Sequence, residues 1–203
     1  MKCGADYEGK SPYYLRQGVL DRVIQAQERL QQLHPDWQIQ IFDAYRPVEV
    51  QQYMVDYTFR QVVADRNLDL DKLSALETEK IFQDVYKIWA IPSFDLETPP
   101  PHSTGAAIDI TIVDKHGKPI EMGSPIDEMS DRSLPEYFAK SEDPVARKYH
   151  HNRQLLCQVM TYAGFHRHPD EWWHFSIGDQ LWAWLNNKSD PQHPIPAYYG
   201  RAI

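Results

Sequence analysis

Between Gly18 and Leu33, apolar residues recur at helical spacing. Leu20, Val23, Ile24, Leu30 and Leu33, with Gln27 among them, are separated by charged side chains. That pattern predicts an amphipathic helix. His34-Pro35-Asp36 ends it, because proline disfavours helical geometry at the residue before it. Trp37, Ile39 and Ile41 then alternate with Gln38 and Gln40, which predicts a short strand running into Tyr45-Arg46-Pro47. Pro47 suits the first position of a second helix, carrying Val50, Tyr53, Met54 and Tyr57 to about Asp65. A polar, loosely helical region follows to Ile91, with Leu73, Leu76, Ile81, Val85 and Ile88 as its apolar points. A proline-rich bend, IPSFDLETPPPHSTG, interrupts it.

After the bend the alternation is strong. Ile108, Ile110 and Ile112 share one face of a predicted strand, and Asp109 and Thr111 share the other. Asp114-Lys115-His116-Gly117 reads as a turn into a partner strand. The stretch from Met122 to Glu142 is loop-like. A third helix is predicted over Pro144–Ala163, striped by Val145, Tyr149, Leu156, Met160 and Ala163, with Gly164 placed to cap it. EWWHFSI reads as another strand. Helices beside a small, largely antiparallel sheet define an α+β class. At 203 residues, one domain over 1–203 is expected, with residues 1–17 as an N-terminal arm and 189–203 as a proline-rich tail packed on it.

Composition narrows the function. There are 21 basic and 29 acidic residues, a formal charge of −8. That acidity excludes a surface that tracks nucleic-acid phosphates. No stretch approaches the ~18 apolar residues of a membrane span. MKCGADYEGKSPYY lacks the apolar core of a signal peptide, so a cytoplasmic location is expected. The two cysteines, Cys3 and Cys157, exclude a disulfide framework and fit a reducing compartment. Nine histidines and six tryptophans make their placement worth following.

Three constellations could carry chemistry. His102 and Asp109, seven apart, would lie roughly 23 Å apart on one straight strand. They meet only if the chain folds back, and Gly105 permits that bend. An imidazole and a carboxylate brought together so suit zinc. The same spacing also fits a loop His and a strand Asp satisfied by hydrogen bonds. Glu171-Trp172-Trp173-His174 offers a second imidazole and a carboxylate able to take a proton from water. Residues three apart on an ideal strand face opposite ways, so Glu171 must sit at the head of the strand, bent back, and His168-Pro169-Asp170 makes that plausible. The Trp pair would dry the site or simply fill the core. Asp43-Ala-Tyr-Arg46-Pro47 places an Arg at a strand-to-helix junction, where it would serve either an oxyanion or a surface salt bridge.

In order along the chain, YRP, HSTGAAID, MGSPIDEMS and EWWHF together resemble the zinc D-alanyl-D-alanine dipeptidases, part of a wider set with D,D-carboxypeptidases and the hedgehog signalling domain. The resemblance spans about Val19 to Phe175. It implies a hedgehog/D,D-peptidase-like fold and one zinc ion per chain on His102, Asp109 and His174. It also implies Glu171 as general base, Arg46 on the tetrahedral intermediate and Asp127 on the ammonium of a dipeptide; Arg153 fits the family pattern too and is read as structural. Pro100 stands where the family usually has a serine, so the substrate loses one hydroxyl partner there. A D,D-carboxypeptidase, a peptidase of longer wall peptides and a catalytically silent zinc-binding protein remain the rival readings. Retention of both Glu171 and Arg46 favours the enzyme, since a structural zinc needs neither. The other histidines, Cys157 and Asp114 are read as structural, surface or turn residues.

Overall fold

A computed structural model describes residues 4–202; Cys3 lies outside them. Among these residues nine α-helices and β-strands follow one another: α1 (Gln17–Leu33), β1 (Gln38–Asp43), α2 (Val48–Asp65), α3 (Ala75–Val85), β2 (Ala107–Val113), α4 (Pro144–Tyr162), β3 (His166–Arg167), β4 (His174–Ser176) and α5 (Gln180–Ser189). The strands form one antiparallel sheet in the order β1-β2-β4-β3. The fold is α+β, as the sequence predicts.

β2 is the strand the rest is built around. Ile108, Ile110 and Ile112 are fully buried against α1 and α4 residues Val19, Val23, Leu30, Leu156, Val159 and Met160. Each isoleucine removed from water this way contributes about 1.5–3 kcal/mol. The opposite face of β2 carries Asp109 toward the cleft described below. Alternation on one short strand thus sorts core from chemistry.

The buried face of α1 is Val19, Val23, Ala26 and Leu30, whereas Leu20, Ile24 and Leu33 are exposed. This corrects the stripe expected from periodicity. Neighbouring residues lie ~100° apart around a helix, and packing against α4 and the sheet selects the Val19–Leu30 line. The Gln27 side chain covers the open edge of β1, donating to the Trp37 carbonyl and accepting from the Ile39 N–H. Edge strands left bare invite pairing with other chains.

A second cluster of buried residues forms around α2 and α3, with Val50, Met54, Val55, Val63, Ile81, Val85 and Trp89 joined by Ala5 and Tyr7. Pro47 is the N-cap of α2 rather than its first helical residue. α3 starts at a capping box, Ser74 with Glu77.

Other expectations need correcting. Asp114 does make a turn, accepting from the His116 and Lys118 N–H groups. It leads to a single bridge between Val113 and Pro119 rather than to a strand, because Pro119 cannot donate to a ladder. Val145 is exposed, so the α4 stripe begins at Ala146. β4 is three residues long, with Glu171, Trp172 and Trp173 ahead of it. β3 and α5 carry no periodicity that predicts them. The tail beyond α5 has no helix or strand among its described residues, yet it is fastened. The Tyr198 and Tyr199 N–H groups donate to the Gly178 carbonyl, the Ala202 N–H to the Ser103 carbonyl, and the Arg16 guanidinium to the Gly200 carbonyl.

Candidate metal centre and active site

His102 lies on a short 3-10 turn, Pro101–Thr104, that ends at Gly105 with φ +69°. That left-handed conformation is cheap only for glycine. The turn is held on several sides. Ser103 and Thr104 hydroxyls donate to the Pro100 and Pro101 carbonyls, the Arg46 N–H to the His102 carbonyl and the Arg16 N–H to the Gly105 carbonyl. The chain then reverses into β2 and brings Asp109 back beside His102, with His102 Nε2 3.3 Å from Asp109 Oδ2.

Strand register supplies the next partner. Asp109 sits opposite His174 on β4 and opposite Asp43 on β1, where the ladder slips by a bulge after Ile41. His174 Nδ1 is 3.1 Å from Asp109 Oδ1. One ligand atom from each of His102, Asp109 and His174 falls within 4.8 Å of the others, and all three residues are buried. Two imidazoles and one carboxylate, with a cleft on the open side, are the donor set of a catalytic zinc site. His102 Nδ1 pairs with the Ala44 carbonyl at 2.7 Å. A carbonyl only accepts, so Nδ1 carries the proton and Nε2 presents its lone pair. The residues present therefore fit a zinc ion.

Glu171 stands at the head of β4, with Oε2 3.8 Å from His174 Nδ1. Burial pushes its carboxyl pKa up to about 8, with Asp109 and Asp127 adding to the shift and His174 and Arg46 opposing it. Both tryptophans are buried in the core, and one of them also meets the cleft. Trp173 lines the cleft. Trp172 is core, edge-on to Trp173, and its indole N–H donates to the Ser124 hydroxyl.

Arg46 is 3% exposed, so the surface-salt-bridge reading gives way to a buried ion pair. Nε and Nη2 reach Asp43 Oδ2 at 3.0 and 2.5 Å, and Nη1 donates to Gln51 Oε1 at 2.7 Å. Nη2 is also 3.6 Å from Asp109 Oδ2, and the guanidinium lies over the Trp89 ring. Burial alone would lower the Arg46 pKa, but Asp43, Asp109 and Asp127 hold it above its ordinary value. Among the described residues, those bonds use three of the five N–H donors of the guanidinium, and Nη2 also faces Asp109.

Asp127 lines the same cleft, on the loop between Met122 and Leu134. It has φ +64°. Arg153, fully buried in α4, fixes this loop. Its guanidinium donates to the Met122, Arg132 and Leu134 carbonyls and to the Ser124 hydroxyl. A cation donating to several main-chain carbonyls converts a polar loop into a rigid wall.

The cleft has a volume of about 780 Å³ and is walled by both buried clusters, with Gln51 and Trp89 on one side and Trp173 and His174 on the other. Pro100 and Pro101 form part of its rim. His168 is a wall residue that sequence reasoning set aside as structural. Its ring lies edge-on to His174, its Nδ1 accepts from the Asp170 N–H, and burial pushes its pKa down to about 3. His168 is therefore neutral with Nε2 as the protonated nitrogen. The signal available was its place in HPDEWWH, three residues before Glu171.

Comparison with known proteins agrees with this fold. A solved structure of the vancomycin-resistance D,D-pentapeptidase VanY, a point mutant in complex with Zn(II), superposes with a TM-score of 0.51 at 13% identity, over 87% of this chain and 79% of that one. That likeness shows the fold. A D-alanyl-D-alanine dipeptidase of Synechocystis sp. is 52% identical over 98% of this chain and 83% of its own length. A D-alanyl-D-alanine dipeptidase of Escherichia coli is 43% identical over 37% of each chain. By class the protein is a zinc metallopeptidase. Residues 1–195 match the D-Ala-D-Ala dipeptidase family, and the chain belongs to that family.

Proposed function

We propose that this protein hydrolyses D-Ala-D-Ala to two molecules of D-alanine, with one zinc ion held by His102, Asp109 and His174. The observation that carries the reading is the buried cluster of these three residues, with Glu171 and Arg46 at its edge. When bound, zinc supplies Lewis-acid polarisation and brings the pKa of water to about 7. Every other part is played by the chain. Glu171 takes the proton of the attacking water on Oε2 and passes it to the leaving amine. Arg46 donates to the developing oxyanion, and Asp43 and Gln51 keep it from swinging away. Asp127, on its braced loop, pairs with the substrate ammonium and selects a free N-terminus. Trp173 excludes water and strengthens these electrostatics. The whole chain acts as one peptidase domain, since both buried clusters wall the cleft.

None of the described helices is long and apolar enough to cross a membrane. Cysteine usage supports a cytoplasmic dipeptide as the substrate. The cleft volume of about 780 Å³, more than a dipeptide fills, favours one second reading, a D,D-carboxypeptidase of longer peptides. Assaying the purified protein on D-Ala-D-Ala, L-Ala-L-Ala and N-acetyl-D-Ala-D-Ala, with and without chelator, tests both. Chelator-sensitive cleavage of D-Ala-D-Ala alone is expected. Preferred cleavage of the acetylated substrate would establish the second reading, and no cleavage of any would leave a silent zinc protein.

A further inference from the structure

His174 presents Nδ1 to the metal cluster, so its other nitrogen needs a partner on the far side. Nε2 lies 3.3 Å from the Ser176 hydroxyl. The two side chains are neighbours because residues i and i+2 of a strand share a face. Opposite Ser176 on β2 is Ala107, whose small side chain leaves the serine room. Two residues later Gly178, with φ +79°, turns the chain. The tail fastened on the Gly178 carbonyl holds that turn. The turn delivers Asp179, whose Oδ1 caps α5 by accepting from the Trp182 N–H at 2.8 Å.

The second carboxylate oxygen of Asp179 has no such explanation. Asp179 is fully buried. Its Oδ2 is one of the few buried side-chain atoms without a hydrogen-bond partner among the described residues. Helix capping needs one oxygen; a surface serine or asparagine would supply it without burying a charge. Burial raises the Asp179 pKa, while the Trp182 N–H, the Ser176 hydroxyl, His174 and His102 oppose that rise. In sequence Asp179 is three residues beyond Ser176, the residue that reaches His174 Nε2, on the turn that leaves β4.

We infer that Ser176 and Asp179 are positioning residues that hold His174 in its metal-binding orientation. The Ser176 oxygen accepts the Nε2 proton of His174, and its own proton turns to Asp179 Oδ2. With Nε2 protonated, the lone pair of His174 is on Nδ1, facing Asp109 and the cleft. Carboxylates behind metal-bound imidazoles fix ring orientation and raise ligand basicity, and here a hydroxyl transmits the effect. The inference rests on His174 being a metal ligand, as proposed above.

The test uses full-length wild-type protein, Ser176→Ala and Asp179→Asn. Zinc dissociation constants are measured by competition with a chromophoric chelator, and the His174 Nε2–H resonance is followed by ¹H–¹⁵N NMR of the zinc-loaded protein. Both variants are expected to bind zinc about tenfold or more weakly, with thermal unfolding of the metal-free forms close to wild type. The Nε2 proton, protected from exchange in the wild type, is expected to exchange rapidly in Ser176→Ala. Ser176→Ala leaves the α5 cap intact, so it decides the matter even if Asp179→Asn fails to fold. Wild-type zinc affinity, or an unchanged Nε2–H signal, in Ser176→Ala would overturn the positioning role while leaving the metal site standing. A wild-type protein that binds no zinc would instead overturn the site itself.

Discussion

Asp109 stands directly opposite His174 across the β2–β4 ladder, with its Oδ1 3.1 Å from His174 Nδ1. Two of the three side chains proposed to bind metal are thus fixed by sheet register. A slip of one residue would turn either to the other face. His102 depends instead on the Gly105 bend. The site joins one turn to two strands, so disturbance of either should show first as weaker metal binding.

Metal removal comes first. Chelation is expected to abolish peptidase activity, and zinc to restore it. Zinc binds the folded chain in preference to the unfolded one, so holoprotein should unfold later. At a free zinc concentration of 100 times Kd the gain is about 2.7 kcal/mol. Differential scanning calorimetry with and without zinc checks this; equal unfolding temperatures would contradict it.

Glu171→Gln removes the proposed proton acceptor and preserves shape. A loss of about 10²–10⁴-fold in kcat is expected, with zinc content unchanged. Metal analysis beside steady-state kinetics separates this from loss of the site.

Arg46→Lys keeps a charge but loses the planar fork that meets Asp43 and Gln51. The rate should fall by about 10²-fold or more with zinc retained. Release of zinc instead would mean that Arg46 mainly holds Asp109 in place.

Arg153→Met leaves the Met122, Arg132 and Leu134 carbonyls without their donor. About 3 kcal/mol of stability should be lost. Because this loop carries Asp127, KM should rise more than kcat falls. Chemical denaturation and kinetics on D-Ala-D-Ala measure the two effects independently.

Gly123→Ala tests the same wall from its other end. Gly123 has φ +85°, and a Cβ there would collide with the Phe138 and Tyr149 rings. Overpacking of this kind costs about 1–3 kcal/mol, beyond the backbone strain. A stability equal to wild type would show that the loop can shift aside.

Parts of this molecule were readable without coordinates. Alternation along Ile108–Ile112 set the core face of β2 and, with it, the outward face of Asp109. Helical periodicity located α1, α2 and α4, and Gly105 marked the reversal at His102. Other features were hidden. Trp182 and Trp184 share a short helix with polar Asn186, Asn187 and Lys188, so α5 shows little period. β3 has two residues, too few for any pattern. Leu20 and Ile24 were as apolar as Val19 and Val23, and only packing against α4 could choose between the two lines.

The amino-acid sequence alone determined much of the local inventory: that α1, α2 and α4 coil and β1 and β2 extend, which face of β2 is apolar, and which side chains have the chemistry to bind metal or move a proton. These follow from periodicity and functional groups, both properties of near neighbours in the chain. Tertiary structure alone decided that Arg46 is a buried ion pair with Asp43 rather than a surface one. It also decided that Arg153 braces the Asp127 loop, that His168 joins the cleft wall, and that Ser176 reaches His174 Nε2. Each depends on contacts between distant segments or on burial, which multiplies the strength of a charge or hydrogen bond.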